Sequence, residues 1–509
     1  MREPAIATVR ACVTALCSIL LLVGCSDSHP GGDPRPDGLA QPDSRPSLIV
    51  LISIDTLRAD HMGLYGHHRD TSPVLDEFAR EGTVFNDASS TAPWTLPAHS
   101  SMLTGLYPRE HRVLTFETTL PAEVPTLAGI LSRAGYSTAA VVNSAWLAKE
   151  QYGVTRDFQQ YLFVDDAQDR RAPNSWVTDQ AMAWIRDRDT RPLFLFVHYY
   201  DVHSDYSSLP QYERLFVQPY PGIADGTGWQ LARASFEDDF VEMCHRNYDP
   251  AKCRIGTEEK YLAVDRTVGK IFFDDDDLRH IEELYDAGIR QLDNELGRLF
   301  ALMESEGAFD PALIFITSDH GEEFMDHGRM DHFLTMHQEI IRVPLIVRGP
   351  GVPAGLRIET PVSLVDLSPT ILAFADVSKP PTTDGLDLTP LLRGETPTAF
   401  DDRFLFGEAS GGLTYAMMME GIYPIYRSIR RGKHKLIHNS KEDSWALYDL
   451  EVDPGETQDI AADRPDITAE LSAEIRARYA GFDPNPAPSN RIELDREELE
   501  RLRALGYVP

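Results

Sequence analysis

The stretch "SLIVLISID", residues 47–55, is a continuous apolar run that ends at an aspartate. Such a run is typical of a strand that is buried on both faces of a parallel sheet. "PLFLFVHYYD" at 192–201 and "ALIFITSDHG" at 312–321 have the same form, and segments with helical periodicity lie between the three runs. This alternation predicts an α/β fold with a mostly parallel central sheet and helices on both of its faces.

Polar side chains stand at the ends of these apolar runs. Asp55 ends the first run, His198 and Asp201 end the second, and Asp319 and His320 end the third. Ligands of open α/β sheets bind outside the carboxyl ends of the strands. The sequence therefore predicts that these residues form one site.

The residue types at this edge suit a metal ion. Asp55, Asp319 and His320 offer two carboxylates and an imidazole, which favour one divalent ion such as Zn²⁺ or Mn²⁺, with Ca²⁺ as an alternative. Thr95, in "TAPWTLPAHSSMLTG" at 91–105, would provide a fourth contact. Binding would lower the pKa of its hydroxyl and make it a nucleophile.

Each of these residues also has a simpler interpretation. An aspartate at a strand end is often a turn or helix-capping residue. Thr95, two residues before Pro97, also resembles the start of a helix, and a nucleophile at a helix N-terminus would combine both roles.

The N-terminus is predicted to be a targeting segment. Basic residues precede the apolar run "ACVTALCSILLLVG" at 11–24, which is too short to span a bilayer comfortably and stops at Cys25. Residues 1–24 resemble a bacterial lipoprotein signal, with Cys25 as the lipidated residue and residues 25–46 as a flexible tether. We therefore expect an exported protein, anchored by lipid in the cell envelope at the outer membrane or cell surface. A simple secretory signal and an uncleaved anchor are the alternatives.

The overall charge excludes one class of partner. The formal net charge is −32 over 509 residues. A nucleic-acid-binding protein needs a basic face, so we expect no nucleic-acid partner.

The body of the chain is predicted to contain a catalytic domain at 47–399 with an acidic insertion at about 204–275. The insertion contains Cys244 and Cys253, which we expect to form a disulfide in an exported protein. A metal site that uses the two cysteines with His245 would be incomplete.

An acidic run precedes a long helical segment, and a smaller subdomain is predicted at the C-terminus. The run "DDDD" at 274–277 is predicted to be solvated, with a calcium site as the alternative. Residues 400–509 are predicted to form a smaller α+β subdomain, with an antiparallel sheet followed by the helix "PDITAELSAEIRARYAG" at 465–481.

From about residue 47 to 461 the chain resembles the sulfatase family of the alkaline phosphatase superfamily. The resemblance is carried by the motifs "ISIDTLRADHMGLYG", "TLPAHSSMLTGLYP", "SDHGEEFMDHG", "IIRVPLIVRGPG", "VSLVDLSPTIL" and "LYDLEVDPGET". It implies that Asp55, Asp319 and His320 bind a metal and that Thr95 occupies the nucleophile position. His203, in "YDVHSDY", resembles the histidine that contacts the ester or its leaving group.

The nucleophile motif departs from the family pattern. Sulfatases usually carry Cys or Ser in C/S-x-P-x-R and convert it to formylglycine, whereas this chain has Thr95, Pro97 and His99 at those positions. The convertible residue and the arginine are both absent. His99 is kept as a catalytic candidate.

Several cationic contacts of the family are also replaced. Thr56 stands where many members have a second aspartate, and Asn143 and Ala145 stand where lysine and histidine would hold a sulfate. His332 and Phe333 lie about where a further lysine is often found. The loss of these cations favours a substrate with one negative charge.

One metal is expected, and a second metal is the alternative. His198, Asp201, His327 and His332 could contact the substrate, a second ion, or the ligands of the first. Asn143 is a further candidate substrate contact.

The remaining ligand set resembles that of phosphoethanolamine transferases and nucleotide pyrophosphatase-like phosphodiesterases, which use threonine directly. The sequence thus predicts a metal-dependent hydrolase or transferase that attacks a phosphodiester or phosphonate through Thr95. An arylsulfatase is the alternative, and a non-catalytic binding protein with this fold is a second one. The expected ligand is a small anionic ester, a glycan or a lipid headgroup.

Overall fold

The computed structural model describes residues 45–148, 150–164, 173–234, 271–410, 424–483 and 490–492. The predicted signal segment, the candidate lipidation residue Cys25, the predicted tether up to residue 44, and the pair Cys244 and Cys253 lie outside the described residues. Within the described ranges, no helix combines the length and the apolar character needed to cross a membrane.

The strands are short and follow the apolar runs of the sequence. In chain order they are β1 (Leu48–Ile54), β2 (Thr83–Ser89), β3 (Ser137–Val142), β4 (Gln160–Phe163), β5 (Leu193–Tyr199), β6 (Leu313–Ser318), β7 (Glu323–Phe324), β8 (Met330–Asp331), β9 (Arg342–Arg348), β10 (Leu356–Ile358), β11 (Val362–Ser363), β12 (Phe404–Ala409), β13 (Tyr426–Arg431), β14 (His434–Asn439) and β15 (Ser444–Asp449).

The helices lie mostly between these strands. They are α1 (Pro73–Arg80), α2 (Thr95–Thr104), α3 (Pro108–His111), α4 (Leu127–Arg133), α5 (Ala145–Ala148), α6 (Pro173–Arg186), α7 (Pro210–Phe216), α8 (Gly228–Ala234), α9 (Asp275–Ser305), α10 (Gln338–Ile341), α11 (Leu367–Phe374), α12 (Thr389–Leu392) and α13 (Pro465–Tyr479). Short 3-10 helices occur at Ala59–His61, Gly63–Tyr65, Glu150–Tyr152, Leu364–Asp366 and Thr398–Phe400.

The central sheet has the order β10-β2-β9-β6-β1-β5-β3-β4, with β11 beside β2. Strands β6, β1, β5, β3 and β4 pair in parallel, whereas β9 is antiparallel to both of its neighbours. The prediction of a mostly parallel sheet is confirmed.

Alternate residues of β1 enter two apolar layers, one on each face of the sheet. Val50 and Ile52 pack in the layer that contains Leu292 and Leu296 of α9. Leu51 packs in the opposite layer with Leu103 of α2. Both faces are therefore covered by helices, and every residue of β1 is buried.

The acidic run 274–277 starts the long helix α9. The Asp274 carboxylate accepts hydrogen bonds from the backbone N–H groups of Asp276 and Asp277, both at 2.9 Å. The Asp277 carboxylate accepts the Asp274 N–H in return at 3.0 Å. This capping box accounts for both carboxylates without a cation.

The C-terminal residues form the predicted antiparallel sheet and the helix that follows it. Strands β12 to β15 make a four-stranded antiparallel sheet, and α13 packs on it. Leu471 and Ile475 of α13 bury against Ile429, Leu436 and Leu447 of the sheet. The acidic helix therefore uses its apolar positions to cover one face of the sheet.

Candidate active site

The sheet order brings the predicted ligands to one edge. Strand β6 pairs with β1 so that Ser318 lies opposite Ile54, which places Asp319 level with Asp55. On the other side of β1, His198 of β5 lies opposite Ser53. Three adjacent parallel strands thus deliver their polar residues to the same place.

Thr95 is the first residue of α2, and its side chain does not cap the helix. The N-cap position belongs to Trp94, which makes no side-chain capping bond. The Thr95 hydroxyl instead donates to Asp55 Oδ2 at 3.4 Å, and Thr95 is 1% exposed. The hydroxyl lies at the ligand cluster, as a nucleophile would require.

Three atoms of the cluster are buried without a hydrogen-bond partner among the described residues: Asp55 Oδ1, Asp319 Oδ2 and His320 Nε2. His320 Nε2 lies 3.5 Å from Asp55 Oδ1 and 3.4 Å from Asp319 Oδ2. Tetrahedral ligands about 2.0 Å from Zn²⁺ lie about 3.3 Å apart, and octahedral ligands about 2.4 Å from Ca²⁺ lie about 3.4 Å apart. The residues present therefore fit a divalent cation.

Hydrogen bonds at the other polar atom of His320 and of Asp319 fix the orientation of these two side chains, so that His320 Nε2 and Asp319 Oδ2 face the cluster. His320 donates Nδ1–H to the Gly321 carbonyl at 2.9 Å, so its Nε2 carries the lone pair. Asp319 Oδ1 accepts the N–H groups of His320 at 2.9 Å and Thr56 at 3.3 Å. Thr56 has φ 56°, an uncommon conformation for a β-branched residue, and this turn directs its N–H at the cluster.

Electrostatics at the site depends on the two buried carboxylates. Burial acts to raise the pKa of Asp55, but His198, His203 and His320 bring it well below its usual range. Burial and the Asp55 charge raise the pKa of Asp319 far above its usual range. Burial and His332 lower the pKa of His320, which favours a neutral imidazole. A divalent cation would replace the proton on Asp319.

His99 lies one turn after Thr95 in α2. Its Nδ1 is 2.8 Å from the Thr95 carbonyl and 3.5 Å from Asp319 Oδ2, and its Nε2 is 2.9 Å from Ser53 Oγ. Burial and the neighbouring His198 lower the pKa of His99 to about 3. This fully buried, neutral ring is placed to position α2 against the sheet.

His198 lies close to the other oxygen of the first aspartate. Its Nε2 is 3.3 Å from Asp55 Oδ2, and neither ring nitrogen has a further partner within the described part of the chain. Its ring meets that of His99 edge-to-face at 5.0 Å. His198 therefore contacts a candidate metal ligand directly.

His203 and His332 lie on the side of the cluster where β5 and β8 end. His203 Nδ1 is 2.7 Å from the Ser204 carbonyl, and its ring meets that of His332 edge-to-face at 4.9 Å. The His332 ring lies 4.6 Å from that of His320. The structure thus brings both histidines to the predicted site.

Asn143 follows β3, the strand beyond β5. Both atoms of its amide are buried and have no hydrogen-bond partner among the residues that the structure describes. An unpaired buried amide is costly unless a ligand satisfies it. Asn143 stays a candidate substrate contact.

Asp201 and His327 are bound to other elements instead. Asp201 Oδ2 accepts from Asn174 of α6 at 2.6 Å and Gln291 of α9 at 3.1 Å. His327 uses Nδ1 with Glu339 at 2.6 Å and Nε2 with the Glu456 carbonyl at 3.1 Å. Those contacts occupy both nitrogens of His327.

Glu322 and Asp331 are functional candidates that the sequence did not single out. Both carboxylates contact His332 Nδ1, at 3.0 Å and 2.8 Å. Glu322 directly follows the "DHG" of the quoted motif, and Asp331 precedes His332 in the chain. The sequence signal for these two acids is their position in the chain: Glu322 lies two residues after His320, and Asp331 lies directly before His332.

Comparisons with known proteins identify relatives of this chain. The sulfatase family model matches residues 47–377, and a model described as N-sulphoglucosamine sulphohydrolase, C-terminal, matches residues 325–480. The chain is 25% identical over 514 residues to the N-acetylglucosamine-6-O-sulfatase of Bacteroides thetaiotaomicron, and the match covers 90% of each chain.

Two solved structures share the fold. One, a protein in complex with its substrate D-glucosamine-2-N,6-O-disulfate, has a TM-score of 0.67 and 22% identity over 87% of this chain and 99% of its own. The other, the phosphonate monoester hydrolase of Agrobacterium radiobacter, has a TM-score of 0.66 and 23% identity over 88% of this chain and 99% of its own. Since the sulfatase match spans well over half of the 509 residues, the chain belongs to the sulfatase family and is a hydrolase of that family.

Proposed function

We propose that this protein is a metal-dependent hydrolase of singly charged phosphodiesters or phosphonate monoesters, with Thr95 as its nucleophile. One observation carries the proposal. The Thr95 hydroxyl lies 3.4 Å from Asp55 Oδ2, while Asp55 Oδ1, Asp319 Oδ2 and His320 Nε2 are buried together with no partner in the described ranges. A bound divalent cation would compensate the two buried carboxylates, which are costly without a partner.

The residues would act as follows. A divalent cation bound by Asp55, Asp319 and His320 would supply positive charge at the oxygen of the attacked centre. Thr95 Oγ1 directs its proton at Asp55 Oδ2 and attacks the phosphorus in line with the leaving oxygen. The N-terminus of the ten-residue helix α2 adds a favourable dipole for the anion.

The local charges favour a substrate with one negative charge. Asn143 offers a neutral amide at the edge of the sheet, and His203 and His332 offer imidazoles. Arg58, near Asp55 in the chain, binds the Asp60 and Asp326 carboxylates with its guanidinium. The Arg58 charge is therefore balanced by these two carboxylates, and it is not counted as a contact for the substrate anion.

The nucleophile itself favours phosphorus over sulfur. Threonine has one hydroxyl on Cβ, so water must attack the acid centre to break a covalent ester of Thr95. A hydrated aldehyde, such as formylglycine, has a second hydroxyl that can expel the acid group. In-line attack of water on a phosphoryl ester is an ordinary enzymatic step.

A sulfate ester of a sugar is the second candidate substrate. It also carries one negative charge, and the relative that matches 90% of each chain is named an N-acetylglucosamine-6-O-sulfatase. This likeness supports a sulfated amino sugar as the alternative to test.

The test is turnover by the purified, metal-reconstituted protein of three chromogenic esters: bis(p-nitrophenyl) phosphate, p-nitrophenyl phenylphosphonate and p-nitrophenyl sulfate. Thr95→Ala should lower turnover of the two phosphorus esters by at least about 10³-fold, as expected for loss of a nucleophile. Thr95→Ser keeps the hydroxyl and is the matched control. Faster, Thr95-dependent cleavage of the sulfate would overturn the preference for phosphorus, and full activity of Thr95→Ala would overturn the nucleophile.

A further inference from the structure

Phe333 is the partly buried member of an aromatic cluster near the nucleophile. Its ring lies 5.9 Å from that of Trp94 and meets that of Phe116 edge-to-face at 6.0 Å. Trp146 lies 5.7 Å from Trp94 and stacks on Phe116 at 4.3 Å. Trp94, Phe116 and Trp146 are 3%, 1% and 1% exposed, whereas Phe333 is only partly buried. Of the four rings, Phe333 therefore presents the most surface to a ligand.

The cluster adjoins both parts of the candidate active site. Trp94 directly precedes Thr95 in the chain. The Phe333 ring also stacks on that of His332, with 4.4 Å between centroids and 21° between planes, and the His332 ring lies 4.6 Å from that of His320. A single ring thus links Phe333 to a candidate metal ligand, and Trp94 links it to the nucleophile.

The backbone fixes Phe333 in this position. Its φ is 95°, which non-glycine residues seldom adopt. Its N–H donates to the Pro93 carbonyl at 3.1 Å. A strained conformation of this kind persists where surrounding contacts determine it. The ring is therefore held in place before a ligand binds, which lowers the entropic cost of using it for recognition.

The position of Phe333 separates the two organic groups of a substrate. In-line displacement places the leaving oxygen opposite Thr95 Oγ1, and the group that phosphorus retains lies beside that line. Phe333 is hydrogen-bonded to Pro93 and lies near Trp94, the two residues before Thr95. It is thus on the side of the nucleophile, where the retained group passes and the leaving group does not.

We propose that Phe333 determines specificity by contacting the group that phosphorus retains, and that this group is flat and apolar, as an aryl group is. This inference deepens the proposed function and rests on it. Aromatic rings attract each other in offset-stacked and edge-to-face arrangements, in addition to the gain from buried area. The substrates are then aryl phosphonate monoesters and diesters with an aryl group on the retained oxygen.

The surroundings of Phe333 disfavour a charged group at the same place. Trp94, Phe116 and Trp146 belong to one buried apolar layer, and Phe333 packs against it. A second anionic oxygen placed against these rings would lose its hydration without gaining a hydrogen bond. The aromatic cluster therefore agrees with a substrate that carries one negative charge.

The experiment varies the retained group and keeps the leaving group constant. The metal-reconstituted protein would hydrolyse p-nitrophenyl phenylphosphonate and p-nitrophenyl methylphosphonate, and the readout is the ratio of their kcat/KM values. One methylene group in an apolar pocket changes such a ratio by about 10–200-fold. We therefore expect Phe333→Ala to lower the phenyl-to-methyl ratio by at least about tenfold.

Three further variants define the cause of that change. Phe333→Tyr keeps the ring and should keep the ratio. Phe333→Leu keeps an apolar side chain without a flat face and should lower the ratio, which provides a second test if Phe333→Ala does not fold. Phe374→Ala is the matched control, because Phe374 is also partly buried against the same apolar layer but lies in α11 beside Phe315. It should keep the ratio.

Equal losses on the two esters in Phe333→Ala would overturn the proposal, since the leaving group is common to both. An equal fall of the ratio in Phe374→Ala would also overturn it. A fall in Tyr200→Ala with none in Phe333→Ala would assign the retained group to Tyr200, which stacks on His203 at 4.4 Å. Inactivity of the unmodified protein on both esters would refute the proposed function, whereas an unchanged ratio in an active Phe333→Ala enzyme would refute only the role of Phe333.

Discussion

A buried ion pair in the C-terminal sheet is predicted to be critical for stability. Lys435 Nζ of β14 lies 2.7 Å from Glu456 Oε1, and the two side chains are 1% and 0% exposed. Glu456 Oε2 also accepts from His337 Nδ1 at 3.1 Å and from the Gln338 N–H at 2.8 Å. One carboxylate thus joins the sheet to the segment that begins α10.

Replacing one partner leaves the other charge buried and uncompensated. Such a change costs about 3–5 kcal/mol. We therefore expect Lys435→Met, which keeps the side-chain volume, to lower the free energy of unfolding by about that amount. The double variant Lys435→Met with Glu456→Gln removes both charges, so its loss should be smaller than the sum of the single losses.

The loss should extend to the active site. Helix α10 begins at Gln338, and its Ile340 carbonyl accepts the N–H of Gly321, the residue after His320, at 2.6 Å. When Glu456 no longer holds Gln338 firmly, this bond weakens. We expect Lys435→Met to bind metal more weakly than the unmodified protein.

Urea denaturation at pH 7.5, with reversibility verified, measures the unfolding free energy, and metal titration measures the affinity. Lys433→Met is the matched control, because Lys433 and Glu451 form an exposed pair at 3.0 Å with side chains 45% and 69% exposed. An exposed pair contributes about 0–1 kcal/mol. If Lys435→Met lost no more stability than Lys433→Met, the reasoning from burial would be refuted.

Three further predictions follow from single residues. Asp319→Asn should abolish metal binding, measured by elemental analysis. The same variant should raise the melting temperature of the chelator-treated protein at pH 8. Burial and the Asp55 charge raise the pKa of Asp319, so its charged form is unfavourable in the folded protein without metal. Burial opposes charge on His327, but the hydrogen bond to Glu339 raises its pKa to about 9. The stability that the charged His327 provides should therefore be complete below about pH 6.5 and be lost as the pH rises towards 9. The urea midpoint of His327→Gln should not show this fall between about pH 6.5 and pH 9. Gly321→Ala would place its Cβ 1.9 Å from the Glu339 carbonyl oxygen and should cost about 1–3 kcal/mol, measured by urea unfolding.

Each of these has an outcome that contradicts it. Unchanged metal content in Asp319→Asn would remove Asp319 from the ligand set. A stability slope between pH 6.5 and 9 that persists in His327→Gln would assign the proton to another group. Gly288→Ala, in α9, is the control for Gly321→Ala. Its Cβ would lie 3.4 Å from the Val202 side chain, an ordinary van der Waals distance. Equal stability of Gly321→Ala and Gly288→Ala would refute the clash.

The central architecture could be predicted because local patterns determine it. The runs that became β1, β5 and β6 are apolar except near their C-terminal ends, and this pattern is typical of strands buried on both faces. Parallel strands place their carboxyl ends at one edge, so Asp55, Asp319 and His320 could be assigned to one site before any coordinates were known.

The surroundings of the site could not be predicted, because long-range contacts decide them. His198 lies near the end of β5 and Asp201 follows that strand, yet Asp201 binds Asn174 and Gln291 of two helices while His198 contacts Asp55. The acids that hold His332 come from separate short strands and the loops beside them. Local composition does not indicate which helix or loop packs against a strand end.

As the proposed nucleophile, Thr95 should form a covalent ester during turnover. The most direct test is rapid acid quenching of the metal-loaded protein during hydrolysis of an aryl methyl phosphodiester, followed by peptide mass spectrometry. We expect a methylphosphoryl adduct on Thr95, in the peptide that contains residues 91–105, and no adduct in Thr95→Ala. Turnover with the adduct on another residue, or with none at early time points across a range of quench conditions, would rule out Thr95 as the nucleophile.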